Sequence, residues 1–258
     1  MWLLPYFARK VAAVQRLLGE VLPSLDSELY PTRPTDWRGS DLYQLPDVRG
    51  IRQERQRLLE EHQRALDELD ERERVATGTQ APFVQLLSAH GDELKDRVRG
   101  ALDWLGFEVW DVDEQQAAAG KTRHVEDLQV RDGEYFALVE VTSSKGNAKD
   151  KDFTDLLKYR NWRVKDPGRD DIDPAGISGM LIMNQHYREE PARRPALYAT
   201  SSDVDWAQEA ADSDIALVST WALFQAIAAV QAGAVSKDHA RARLRRPGLV
   251  VWPSGGQD

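Results

Sequence analysis

The sequence predicts an α/β protein, a mixed β-sheet with helices on both faces, behind an N-terminal helical hairpin. Three observations support this. From Gly91 onward the apolar residues switch between helical and strand spacing in the order α-β-β-β-α-β-α-β-α. The run SGMLIMNQ from Ser178 is apolar without alternation, as in a strand covered on both faces. Residues 48–75, in contrast, are charged, with no Gly or Pro after Gly50. There Ile51, Leu58, Leu59, Leu66 and Leu69 recur at helical spacing, which predicts one long helix with a narrow apolar seam.

Residues 1–80 thus read as a helical interaction segment and residues 81–258 as the α/β domain with a helical C-terminal extension. The segment starts with an amphipathic helix over about residues 5–22, followed by the proline-punctuated loop SELYPTRPTDWRGSDLYQLPD. The long helix comes next, and ATGTQAP reads as a turn-rich link. In GDELKDRVRGALDWLG, Leu94, Val98, Ala101, Leu102 and Leu105 share a helical face and Gly106 stops the helix. FEVWDV, VEDLQV and YFALVEV read as strands, the last two joined by a tight turn at Asp132-Gly133. AKDKDFTDLLKYRNWRV is a helix; SGMLIMNQ and IALVST are strands. DVDWAQEAAD, WALFQAIAAVQAG and SKDHARARLRR are helices, the last behind Ser236 as its cap. Trp206, Trp221 and Phe224 read as core, and so do Tyr159 and Trp162 from their helical spacing.

The 258 residues contain no cysteine, which excludes disulfides, thiolate metal sites and a cysteine nucleophile, and fits a cytoplasmic protein. Any metal must be held by oxygen or imidazole. No apolar run approaches a membrane span, since Arg9, Lys10 and Arg16 interrupt the N-terminal one, and no cleavable leader pattern is present. A net charge of -9 argues against indiscriminate binding to polyanions. Two stretches run the other way: residues 145–169 and 237–246 each carry a net charge of +4. No phosphate-binding glycine loop, HExxH or GxSxG motif occurs.

The chemistry concentrates at HVEDLQVRDGEYFALVEVTSSKG, residues 124–146. An Asp132-Gly133 turn sets Asp127 across from Leu138, with Glu140 two positions on along the same face. Such diagonal neighbours lie about 7–8 Å apart at Cα. A carboxylate inside an apolar strand needs an opposite charge. Either a cation from the chain, Arg123 or Lys145, or a divalent ion between the two acids would supply it. With hard oxygen donors the ion would be Mg²⁺ or Mn²⁺.

The order α-β-β-β-α-β, with EDL opening the second strand and VEV closing the third, resembles the PD-(D/E)xK nuclease superfamily over about residues 83–232. The resemblance implies a restriction-endonuclease-like core and a Mg²⁺- or Mn²⁺-dependent endonuclease acting on nucleic acid, DNA first, in bacterial defence or repair. Asp127 and Glu140 match the metal-binding acids, with the Val141 carbonyl as a third ligand. Thr142 stands where the family carries its lysine, so Lys145 is expected to assist the attacking water, with Lys158 a second choice. Glu126, not proline, precedes Asp127, and Lys95 stands where many members offer a helix glutamate. Lys149, Lys158, Arg163 and Arg188 are the expected contacts to nucleic acid, with Trp162 and Tyr159 able to stack on bases. The alternative is a nuclease fold without chemistry, a scaffold binding nucleic acid or protein. The N-terminal helices would serve oligomerisation or a protein partner.

Overall fold

The structure, a computed structural model, describes residues 10–25, 41–43, 45–112, 114, 126–165, 176–199 and 204–253. The chain divides into two compact units, Met1–Glu73 and Arg74–Asp258.

The first unit holds α1 (Lys10–Arg16), a π-helical segment (Leu17–Val21), α2 (Leu22–Leu25) and most of α3 (Pro46–Gln85). Val14 and Leu18 of the N-terminal helix and Ile51, Leu58, Leu59, Leu66 and Leu69 of α3 remain exposed, while Pro23 of α2 is buried. The apolar seam of α3 is therefore not buried by the described parts of the N-terminal helix. Most of the loop between them lies outside the described residues. One sequence expectation is corrected here: ATGTQAP is not a link, because α3 continues through it with Pro82 inside. Proline forfeits one backbone hydrogen bond. The turn survives because Phe83, next to it, and Leu86, just beyond the helix, are buried in the core of the second unit. Tertiary anchoring outweighs local propensity there.

The second unit starts with α4 (Asp92–Leu105), whose buried residues are the five read from the sequence. Gly106 ends it at φ +97°, its N–H on the carbonyls of Leu102 and Asp103. A Cβ at Gly106 would come within 2.7 Å of the Arg241 guanidinium. Then follow β1 (Glu108–Asp111), β2 (Leu128–Asp132), β3 (Tyr135–Ser144), α5 (Asp150–Lys165) and β4 (Ile177–Gln185). The chain continues through α6 (Trp206–Asp212), β5 (Ile215–Ser219), α7 (Thr220–Gln231), α8 (Lys237–Leu244) and β6 (Gly248–Val250). The Ser236 hydroxyl caps α8 by accepting from the His239 N–H. β6, three residues long, has too little pattern to be read from sequence.

The six strands form one sheet in chain order, β1-β2-β3 antiparallel and β3 to β6 parallel. The antiparallel hairpin is therefore off-centre, and the parallel β3–β4 pair occupies the middle. One face, with Val130, Val139 and Ile182, packs on α4, α7 and α8. The other, with Phe136, Leu138 and Leu181, packs on α5 and α6. No helix among the described residues is long and apolar enough to cross a membrane.

The β2–β3 register also corrects the sequence reading. Leu128 faces Val139 and Asp132 faces Tyr135, so the turn is Gly133-Glu134 rather than Asp132-Gly133. Gly133 takes the left-handed conformation at φ +65°. Asp132 stays in the ladder because Arg241 and Arg245 of the C-terminal segment hold its carboxylate at 3.1 Å and 2.9 Å. The shift is two residues, so every side chain keeps the face assigned to it. Asp127 itself lies just ahead of the ladder, which begins at Leu128.

Candidate functional site

Three acids meet where β2 begins, and each is treated differently. Asp127 lies just ahead of the ladder, its N–H on the Val139 carbonyl at 3.1 Å. Its carboxylate accepts from the Val141 N–H at 2.8 Å. The N–H and carbonyl of a strand residue point to the same edge, so the Val141 carbonyl is turned toward Asp127 as well. Glu126 is 1% exposed, and its Oε1 accepts from Arg163 Nη2 at 2.7 Å, Arg163 Nε at 3.1 Å and Gln129 Nε2 at 2.8 Å. The buried ion pair here thus falls on Glu126, and its cation is Arg163.

Glu140 has neither kind of support. Its Oε2 is buried and has no hydrogen-bond partner. Burial pushes its pKa up to about 8, and Asp127, Asp155, Asp152 and Glu126 push in the same direction. The leading influences contain no cation. Glu126 Oε2 is likewise buried without a partner. A carboxylate desolvated among like charges is what a divalent ion would relieve, and the donors here are hard oxygens. Two carboxylates and a backbone carbonyl would leave the remaining positions to water. No cluster of three or more His, Asp or Glu side chains spaced to hold a metal occurs among the described residues.

Asp152 and Asp155 enter the sequence reading only through the net charge of residues 145–169, not as site residues. They belong to the first half of α5, the helix read as basic. Asp152, Asp155, Tyr159 and Arg163 recur every three or four residues beside the buried Leu156, so all four turn toward the sheet. That spacing was the available signal. Burial raises the Asp152 pKa in turn.

The predicted cations are distributed differently. Lys145 is exposed just past the end of β3, five residues beyond Glu140, which in an extended strand is about 16 Å along the chain. No ion pair of Lys145 occurs among the described residues, and the structure does not bring it to Glu140. Arg163 is not a free phosphate contact, because Glu126 occupies it. Lys149 is exposed, and Lys158 sits over the Trp162 ring at 4.8 Å. Trp162, read as core, is 36% exposed. Arg188 is exposed, whereas Asn184 and Arg194 of the same segment are structural. Asn184 donates to the carbonyls of Leu86 and Ala89 and accepts from Arg194. Lys95 forms an ion pair with Asp111 at 3.2 Å on the α4 side of the sheet, across from Glu140, and so cannot complete this site. Arg123 and His124 lie outside the described residues. The basic tail is largely spent on Asp132, Asp238 and the Trp104, Tyr135 and Trp252 rings.

A cavity of about 230 Å³ opens at the C-terminal ends of β4, β5 and β6, lined among others by Gln185, Ser219, Trp221 and Trp252. None of the three acids lines it, and Gln185, Arg194 and Ser219 of its lining are hydrogen-bonded within the protein. The site is therefore a carboxylate centre at the start of an antiparallel hairpin, on the α5 face of a mixed α/β sheet. No family model, no curated protein and no solved structure matches the chain.

Proposed function

We propose that the protein is a Mg²⁺- or Mn²⁺-dependent nuclease of the PD-(D/E)xK kind, hydrolysing phosphodiester bonds of nucleic acid, with DNA the first substrate to test. The observation that carries this reading is Glu140: half-buried, its Oε2 buried without a hydrogen-bond partner, its pKa pushed to about 8 by desolvation and by Asp127. The element order from α4 to β4 supports it, because it is the order on which the resemblance rests.

Asp127 and Glu140 would hold the ion, with the Val141 carbonyl as third donor. The ion, when bound, would acidify a coordinated water and offset charge on a phosphoryl oxygen. Ion binding would ionise Glu140 and so release a proton at neutral pH. Asp127 orients the site through its bond to the Val141 N–H, and Lys145 is the candidate cation for the water. The exposed Lys149, Lys158 and Trp162 on and beside α5 would meet the nucleic acid backbone and a base.

Cleavage of plasmid and oligonucleotide DNA and RNA at low salt with Mn²⁺ tests the proposal. Activity should vanish in Asp127→Asn and Glu140→Gln while both variants remain folded. Intact substrates under all these conditions would remove the catalytic claim. A second reading, a nuclease fold that binds without cutting, draws on Thr142 at the lysine position and on the distance of Lys145. Salt-sensitive DNA binding that ignores both EDTA and Glu140→Gln would favour it.

A further inference from the structure

The long helix α3 leaves an apolar stripe in water. Over residues 48–69, Val48, Ile51, Leu58, Leu59, Leu66 and Leu69 fall within about 100° of the helix circumference at 100° per residue. All are exposed: Ile51 by 66%, Leu58 by 54% and Leu69 by 53%. Monomers rarely leave a continuous apolar stripe this long uncovered. Residues 48–73 span about 39 Å at 1.5 Å per residue, long enough for a stable helix pair.

Charge along the same helix identifies what covers the stripe. Residues 49–57 hold four arginines against Glu54, a net charge of +3. Residues 60–73 hold seven acids against Arg64 and Arg72, a net charge of -5. A parallel pair of such helices would set like charges side by side along its whole length. An antiparallel pair lays the basic half of each helix on the acidic half of the other, while the leucines near the middle meet across the axis. We propose that α3 mediates homodimerisation of this chain, pairing antiparallel with α3 of a second copy about a two-fold axis near residue 60. Rim charges of this kind select partner and orientation more than they add affinity. The pairing depends on nothing at the carboxylate centre.

The full chain, of 29.2 kDa, should sediment at twice that mass and shift toward the single-chain mass in Leu58→Glu/Leu69→Glu, with unchanged far-ultraviolet circular dichroism. Orientation can be read from disulfide trapping, because the chain has no cysteine of its own. Leu59→Cys and Glu73→Cys are fourteen residues apart, at the same heptad position. Under mild oxidation the antiparallel pair cross-links at position 59 and not at position 73. Cross-linking at both positions would mean a parallel pair and would overturn the proposal. A wild-type chain that stays single at every concentration, or a dimer untouched by the glutamates, would overturn it equally.

Discussion

Replacing Glu140 by glutamine should make the metal-free protein more stable at neutral pH, the opposite of what removing a useful contact does. The Glu140 pKa rises from 4.5 to about 8 on folding. Below pH 4.5 the folded and unfolded chains both carry the proton, and the site costs nothing through ionisation. Between pH 4.5 and 8 the unfolded chain ionises first, so stability falls as pH rises, by about 1.4 kcal/mol per unit. At pH 7 the accumulated cost is about 3 kcal/mol. Glutamine does not ionise, but its amide needs partners in the same place, which takes back about 1 kcal/mol. The variant should therefore be about 2 kcal/mol more stable than wild type at pH 7 in EDTA and lose that advantage by pH 4.5. Urea unfolding at several pH values measures the difference directly. Saturating Mn²⁺ should then stabilise wild type, by about 2.7 kcal/mol at a hundred times Kd, and leave the glutamine variant unmoved. A variant less stable than wild type at pH 7, or a difference flat with pH, would show that a protein cation already meets Glu140. The metal reading would lose its basis.

Other substitutions separate support from chemistry. Asp127→Asn keeps an acceptor for the Val141 N–H, so stability should change by less than about 1 kcal/mol while Mn²⁺ stabilisation disappears; urea curves with and without metal check both. Arg163→Ala leaves Glu126 buried without its cation and should cost about 3–5 kcal/mol, with Glu126→Gln added in the same chain recovering part of the loss. Chemical denaturation of the three chains tests that ordering. Gly106→Ala must hold φ near +97° and push aside the Arg241 guanidinium, so about 1–2 kcal/mol should be lost and the melting temperature should fall.

What the sequence discloses depends on how local the cause is. α4 reads correctly to the residue because its stripe and its stop at Gly106 lie in one stretch of chain. The fully buried β4 and the capped α8 are legible for the same reason. The end of α3 is not, since the weight that carries the helix past Pro82 is the burial of Phe83 and Leu86 among residues far along the chain. The β2–β3 turn was misread for a related reason. Asp132-Gly133 is good turn chemistry, and only Arg241 and Arg245, more than a hundred residues away, hold Asp132 in the ladder.

The candidate site survived that error because strand side chains repeat every two residues. Within the ladder a two-residue slip moves a side chain along its face but never off it, so Glu140 keeps the α5 face, whereas a one-residue slip would have put it on the α4 face with Val139. The division of labour among the acids could not be read the same way. Glu126 and Asp127 are neighbours of one chemical type, and Arg123, the cation the sequence offers before them, does not tell them apart. What separates them is Arg163, two turns past Asp155 on α5, which pairs with Glu126 and leaves Glu140 with other acids as its leading charged neighbours. That selective neutralisation gives the centre its chemical character: one carboxylate is held by arginine, one by the backbone, and the third keeps its demand for a cation unmet.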